Sequence, residues 1–120
     1  MLSLTHNARI YVHVPPTDLR KSFDGLMGLV RSEFGRDPRE GSLFVFFNKR
    51  RDRGKLMWWD ADGYALLYKR LESGTFEMLK PRAGAATLEL DATELSLLLS
   101  GITLSSAHRR KRFAASAGAA

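Results

Sequence analysis

Leu43-Phe44-Val45-Phe46-Phe47-Asn48-Lys49-Arg50-Arg51-Asp52-Arg53-Gly54-Lys55-Leu56-Met57-Trp58-Trp59-Asp60-Ala61-Asp62-Gly63-Tyr64 is the stretch from which the fold is read. Its first five residues are apolar without alternation, the pattern of a strand covered on both faces. Leu43, Val45 and Phe47 point one way, Phe44 and Phe46 the other. Asn48 to Gly54 is polar and basic and reads as a hairpin loop, after which Leu56 to Trp59 forms the next strand. Asp60-Ala61-Asp62-Gly63 is a tight turn, since Asp-Gly is a strong hairpin signal, and Tyr64 to Tyr68 returns. Glu72-Ser73-Gly74 turns again, and Thr75 to Met78 is read as a short edge strand. Three consecutive antiparallel strands are the economical arrangement.

Upstream, Ile10, Val12 and Val14 alternate with Tyr11 and His13 as in a short strand, ended by Pro15-Pro16. Leu19, Phe23, Leu26, Val30 and Phe34 recur at steps of three and four, which predicts a helix over 18–34 with one apolar stripe. Thr17 is its expected N-cap, Asp18 favours the positive end of the dipole, and Gly35 is its stop. Asp24 is expected to pair with Arg20 four residues before it. Gly25 and Gly28 lie off the stripe, where a close approach to the helix or simple tolerance of glycine explains them.

Downstream, 80–86 is rich in Pro, Gly and Ala and reads as a linker. Asp91 followed by Glu94 is a capping-box pattern, with Leu90 and Leu95 placed as a hydrophobic staple. Leu95, Leu98 and Leu99 then give a helix an apolar face, and Gly101 stops it. Ser105 is placed to cap a short basic helix running through Arg112. The expected fold is therefore α+β: an antiparallel sheet of four to five strands, a long helix after the first strand and a C-terminal helix. One domain spans 1–113, and 114–120 is a frayed tail. Two helices cover both faces of such a sheet thinly. The surplus apolar face is left for a partner or self-association, or for the linker and C-terminal segment to fold over.

The chain has 120 residues, 44% hydrophobic and 27% charged, which suits one packed domain. It has no cysteine, excluding a disulfide scaffold, a cysteine zinc site and a thiol nucleophile. No run reaches the roughly 18 apolar residues of a membrane span, and the first residues lack a secretory pattern, so the cytoplasm is expected. Lys plus Arg number 19 against 13 Asp plus Glu, a net +6. Lys49, Arg50, Arg51, Arg53 and Lys55, opposed by Asp52, give +4; Arg109, Arg110, Lys111 and Arg112 give another +4; the remaining body is slightly acidic. Localised positive charge suits a polyanion, because neutralising phosphates releases condensed counterions. Trp58, Trp59, Tyr64 and Tyr68 lie beside the first patch, where exposed aromatics can stack on unpaired bases; core packing is the other reading, and at least one tryptophan is expected there.

No pattern argues for catalysis. Asp60-Ala61-Asp62-Gly63 fails as a calcium loop, because position twelve counted from Asp60 is Leu71 where a glutamate is required. Asp18, Asp24, Asp60 and Asp62 include no independently placed third carboxylate for a nuclease-like metal site. His6, His13 and His108 lack metal-ligand spacing. No phosphate loop or nucleophile elbow is present. The reading is of a protein that is not an enzyme and holds no cofactor and no metal.

Pro16-Thr17-Asp18-Leu19-Arg20-Lys21-Ser22-Phe23-Asp24-Gly25-Leu26 resembles the N-terminal signature of a family of small accessory proteins, the TnpB type, encoded by insertion sequences of family sixty-six. So do 43–55, Trp59-Asp60-Ala61-Asp62-Gly63, Tyr68-Lys69-Arg70-Leu71-Glu72-Ser73-Gly74 and Leu98-Leu99-Ser100-Gly101-Ile102 with its basic tail. The likeness runs over roughly 8–113. Met57-Trp58 and Ala83 to Ala86 depart from it. The resemblance implies an accessory factor of DNA transposition beside a separate, larger transposase that cuts and joins DNA, and it supplies no catalytic residues. Two functions are therefore expected in turn. In one, Lys49, Arg50, Arg51, Arg53, Lys55 and Arg109, Arg110, Lys111, Arg112 contact DNA at the element's ends. In the other, a protein-interaction module docks on the transposase through Arg20, Lys21, Asp24 and Arg31 or through the surplus sheet face. A homo-oligomer is compatible with both, and a metal-dependent nuclease is the weakest option.

Overall fold

The computed structural model describes residues 8–104. Its elements run β1 (Ile10–His13), α1 (Phe23–Glu33), β2 (Leu43–Phe47), β3 (Arg53–Asp60), β4 (Gly63–Arg70), β5 (Thr87–Leu90) and α2 (Ala92–Leu99). The five strands form one sheet in the order β4-β3-β2-β1-β5. β2, β3 and β4 are antiparallel neighbours, as their short connections require. β1 and β2 are parallel, with Ile10 opposite Leu43 and His13 opposite Phe46. The sheet is therefore mixed, and the expectation of a purely antiparallel sheet is corrected. The cause is α1: a helix between two adjacent strands carries the chain back to its starting end, so the second strand runs the same way as the first.

The all-apolar run of β2 lies at the centre and feeds both faces. Phe44 and Phe46 join Tyr11, Met57, Leu19, Leu26 and Val30 on the α1 side. Leu43, Val45 and Phe47 join Ile10, Val12, Leu56, Leu90, Leu95 and Leu98 on the α2 side. That second face is not left bare. Phe76 and Leu79, from the irregular segment after β4, are buried in it together with α2. Thr75 to Met78 is consequently not a strand: it leaves the sheet plane so that Phe76 can pack 5.1 Å from Phe47, ring to ring.

α1 is shorter than expected. Asp18 Oδ1 accepts from the Arg20 N–H at 3.0 Å, an Asx-type turn that uses the carboxylate locally, and helix begins after Ser22, which makes no side-chain cap. Thr17 is buried instead of capping: its N–H donates to the Phe47 carbonyl (2.8 Å), and its hydroxyl lies 3.2 Å from His13 Nδ1. Leu19 still reaches the α1-side core from outside the helix, while Phe23 is exposed. Gly35, with φ +63°, follows the helix end. The Lys21 side chain lies where a Cβ on Gly25 would go, and Gly28 has open space.

β5 lies between the linker expected over 80–86 and the Asp91 cap, where the sequence reading places no strand; it pairs antiparallel with β1, Ile10 opposite Leu90. At α2, Asp91 accepts from the Glu94 N–H (2.7 Å) and Glu94 accepts from the Asp91 N–H (2.9 Å), the reciprocal capping box. Leu90 and Leu95 are both buried in the same cluster, where the staple pattern puts them. No helix among the described residues is long and apolar enough to cross a membrane.

Candidate nucleic-acid interface

The basic hairpin divides into an outer and an inner set. The β2–β3 loop is organised by Asn48, whose side-chain oxygen accepts from the N–H groups of Asp52 (3.1 Å) and Arg53 (3.0 Å) and whose amide donates to Asp52 Oδ1 at 2.7 Å. This bond, with Arg50 and Arg53 nearby, holds the Asp52 carboxyl below its ordinary range. The loop turns sharply enough to place Arg51 at φ +60°. Lys49 and Arg50 project from it, exposed and with no ion pair among the described residues. Arg53 and Lys55 are not loop residues: both stand on β3.

Arg51 and Lys55 are withdrawn from solvent, each 6% exposed. Arg51 Nη2 donates to the Glu77 carbonyl at 2.7 Å, and its guanidinium lies over the Phe47 ring. Burial lowers the Arg51 pKa, opposed by nearby Glu77. Lys55 Nζ donates to the Lys21 carbonyl at 2.7 Å and sits 4.9 Å from the centroid of the Tyr68 ring. These two cations tie distant segments of the fold together. Their expected direct contact with phosphate is at odds with this placement, because reaching a ligand would break the internal bonds.

The structure adds a residue the sequence assigned elsewhere. Arg20 precedes α1, and its guanidinium is gripped by Asp18 through both carboxylate oxygens, the shortest contact being 2.6 Å. The hydrogen bonds from Arg20 hold the Asp18 carboxyl down to about 2. An open cleft of about 370 Å³ is lined by Asp18, Arg20, Asn48, Arg50, Arg53 and Tyr68, among others. A second, of about 360 Å³, continues past Arg53 and Tyr68 to Arg70 and Glu72. Arg53 Nη1 donates to the Tyr68 hydroxyl at 3.1 Å, and Arg70 Nε donates to Glu72 at 2.7 Å. Arg50 and Arg53 thus meet Arg20 at one cleft, whereas Asp24 and Arg31 are exposed on α1 and line neither cleft. Lys21 is exposed and contributes its carbonyl to Lys55.

Arg109, Arg110, Lys111 and Arg112, with the expected helix from Ser105 and the tail 114–120, lie outside the described residues. Of the two tryptophans, both half-buried, Trp58 packs against the α2-side core and Trp59 meets Tyr64 edge to face at 5.0 Å. Tyr68, at 48%, is the more exposed aromatic. Its role beside Lys55 was legible only as a neighbour of the basic run; the cross-strand register that pairs Tyr68 with Lys55 is what joins them.

No group of three or more metal-ligating side chains occurs among the described residues. No solved structure matches the chain. Two relatives from Sinorhizobium fredii (strain NBRC 101917 / NGR234) do. The one named "Uncharacterized protein y4jC" is 39% identical over 102 residues, covering 85% of this chain and 86% of the relative. The one named "Uncharacterized protein y4hO" is 34% identical over 102 residues, covering 85% and 87%. A family model described as "IS66 Orf2 like protein" matches residues 8–109, a span that takes in the whole sheet, both helices and the arginine-lined cleft. The chain therefore belongs to the IS66 Orf2-like family of transposition-associated accessory proteins.

Proposed function

We propose that the protein is a non-catalytic accessory factor of DNA transposition that grips the DNA backbone at the cleft beside the β2–β3 loop. The observation that supports this most directly is the convergence of Arg50 and Arg53 on one open cleft beside the Asp18–Arg20 pair, with Lys49 projecting from the same loop. Guanidinium groups suit phosphate because their forked donors match two oxygens at once. Arg109, Arg110, Lys111 and Arg112 supply a second set of contacts. The test is binding of the full chain to element-end duplex and to random duplex, with and without the transposase, for the wild type and for an Arg50→Ala/Arg53→Ala variant. Affinity should fall at least tenfold in the variant. Unchanged affinity removes the loop from the interface.

A second reading draws on α1. Phe23 is 41% exposed at its start, beside Asp24, and Gly28 leaves open space on the same helix. This face, with Arg31, fits docking on the transposase. Loss of transposase capture by Phe23→Ser, with capture retained by the arginine variant, separates the two surfaces.

A further inference from the structure

We infer that Tyr68 is a platform on which an unpaired DNA base stacks, so that the strand gripped at the cleft is single-stranded or locally opened. The inference rests on the proposed DNA contact and specifies what that contact holds.

Three features of Tyr68 carry it. First, the ring belongs to neither hydrophobic core and is half exposed, so packing does not account for it. The neighbouring aromatics are engaged: Phe47 lies under Arg51 and against Phe76, and Trp59 and Tyr64, at the other end of the β3–β4 hairpin, meet edge to face. Second, the ring is fixed in place. Tyr68 is the cross-strand partner of Lys55, so both project from the same face of the sheet. The Lys55 ammonium, itself 6% exposed and anchored on the Lys21 carbonyl, lies against the ring, and Arg53 holds its hydroxyl. An aromatic already immobilised loses little further freedom when a base lies on it. Third, Tyr68 lines both clefts, with Arg20 and Arg50 in one and Arg70 in the other. A strand passing over it would meet Arg50 and Arg53, which have no ion pair among the described residues, for its phosphates and a π-face beside them for a base, while Arg20 and Arg70 already face Asp18 and Glu72. That combination of cations tracking a backbone and an aromatic stacking surface is how single strands are held. In a closed duplex the bases are stacked on one another and offer Tyr68 no face.

The experiment measures full-chain binding to a single-stranded thymidine oligonucleotide of about 15 nucleotides, to a duplex of equal length, and to an abasic strand of equal length. Wild-type protein should bind the thymidine strand roughly tenfold or more tighter than the abasic strand, in line with the stacking contribution of a base. Tyr68→Ala should lose that margin, with a larger loss on the thymidine strand than on the duplex, and Tyr68→Trp should keep it. Equal wild-type affinity for thymidine and abasic strands overturns the inference, whether or not Tyr68→Ala folds. Equal losses on single strand and duplex in a folded Tyr68→Ala also overturn it. Wild-type binding to duplex with no binding to the thymidine strand overturns the stacking role and leaves the backbone contact standing; binding to none of the three overturns both.

Discussion

The guanidinium of Arg51 lies 4.6 Å from the centroid of the Phe47 ring while donating to the Glu77 carbonyl at 2.7 Å. A residue that reads as one of five phosphate ligands is thereby a structural clasp between the β2–β3 loop and the segment that carries Phe76 into the core. The Arg51 carbonyl completes the clasp, accepting from the Phe76 N–H at 2.6 Å.

Arg51→Ala should therefore cost stability and not DNA affinity. It removes one charged hydrogen bond and the cover over a buried ring. Each such bond contributes about 1.5–3 kcal/mol, and part of this is offset because Arg51 Nε is buried with no partner. A loss of about 2 kcal/mol by urea titration is expected. Arg50→Ala, with its exposed side chain, should change stability by less than about 0.5 kcal/mol. If Arg50→Ala costs more than Arg51→Ala, the assignment of inner and outer cations is reversed.

What the sequence disclosed and what it withheld follow the range of the interactions involved. The apolar run of β2, the Asp91–Glu94 box and the hairpin from Asp60 to Gly63 depend on neighbours in the chain and were readable. The parallel pairing of Ile10 with Leu43 depends on how a crossover returns, and β5 on the docking of four residues against β1. The helix limit at Ser22 turned on Asp18 bonding to the Arg20 N–H instead of opening a helix. At the site, Lys49 and Arg50 lie exposed on the loop as expected, and Arg53 is exposed beside it at the start of β3. Arg51 and Lys55 are not exposed, because their partners, Glu77 and Lys21, are 26 and 34 residues away.

The Asp18–Arg20 fork predicts a small acid sensitivity. The folded carboxyl titrates at about 2, below its ordinary 3.8. Its contribution is thus complete above about pH 4 and disappears as the pH falls through 2. The pair is exposed, so solvent screening keeps the effect slight. Thermal melting of the wild type and Asp18→Asn should differ at pH 6 and converge by about pH 2. A difference that grows on acidification would contradict the assignment.

Ala61 occupies the β3–β4 turn at φ +59°, where a Cβ crowds the backbone. Glycine adopts this conformation freely. Ala61→Gly should stabilise the protein by roughly 0.5–1 kcal/mol, the strain relief exceeding glycine's greater freedom in the unfolded chain. Chemical denaturation measures it, and a loss of stability would show that the alanine is unstrained there.

The division of the basic hairpin also fixes how DNA binding should respond to salt. Each phosphate neutralised on a duplex contributes a slope of about −0.9 to log affinity against log salt. Contact by all five hairpin cations would give about −4.5, whereas Lys49, Arg50 and Arg53 alone give about −2.7. Arg20 adds little to this count because Asp18 already neutralises it. Alanine at Arg109, Arg110, Lys111 and Arg112 isolates the hairpin, and in that background the shallower slope is expected. Arg50→Ala should then reduce its magnitude by about one more unit. Lys55→Met should leave it unchanged, since the Lys55 ammonium is bound to the Lys21 carbonyl and neutralises no phosphate, so it releases no counterion. A slope near −4.5, reduced equally by both substitutions, would mean that Lys55 and Arg51 leave their internal partners when DNA binds.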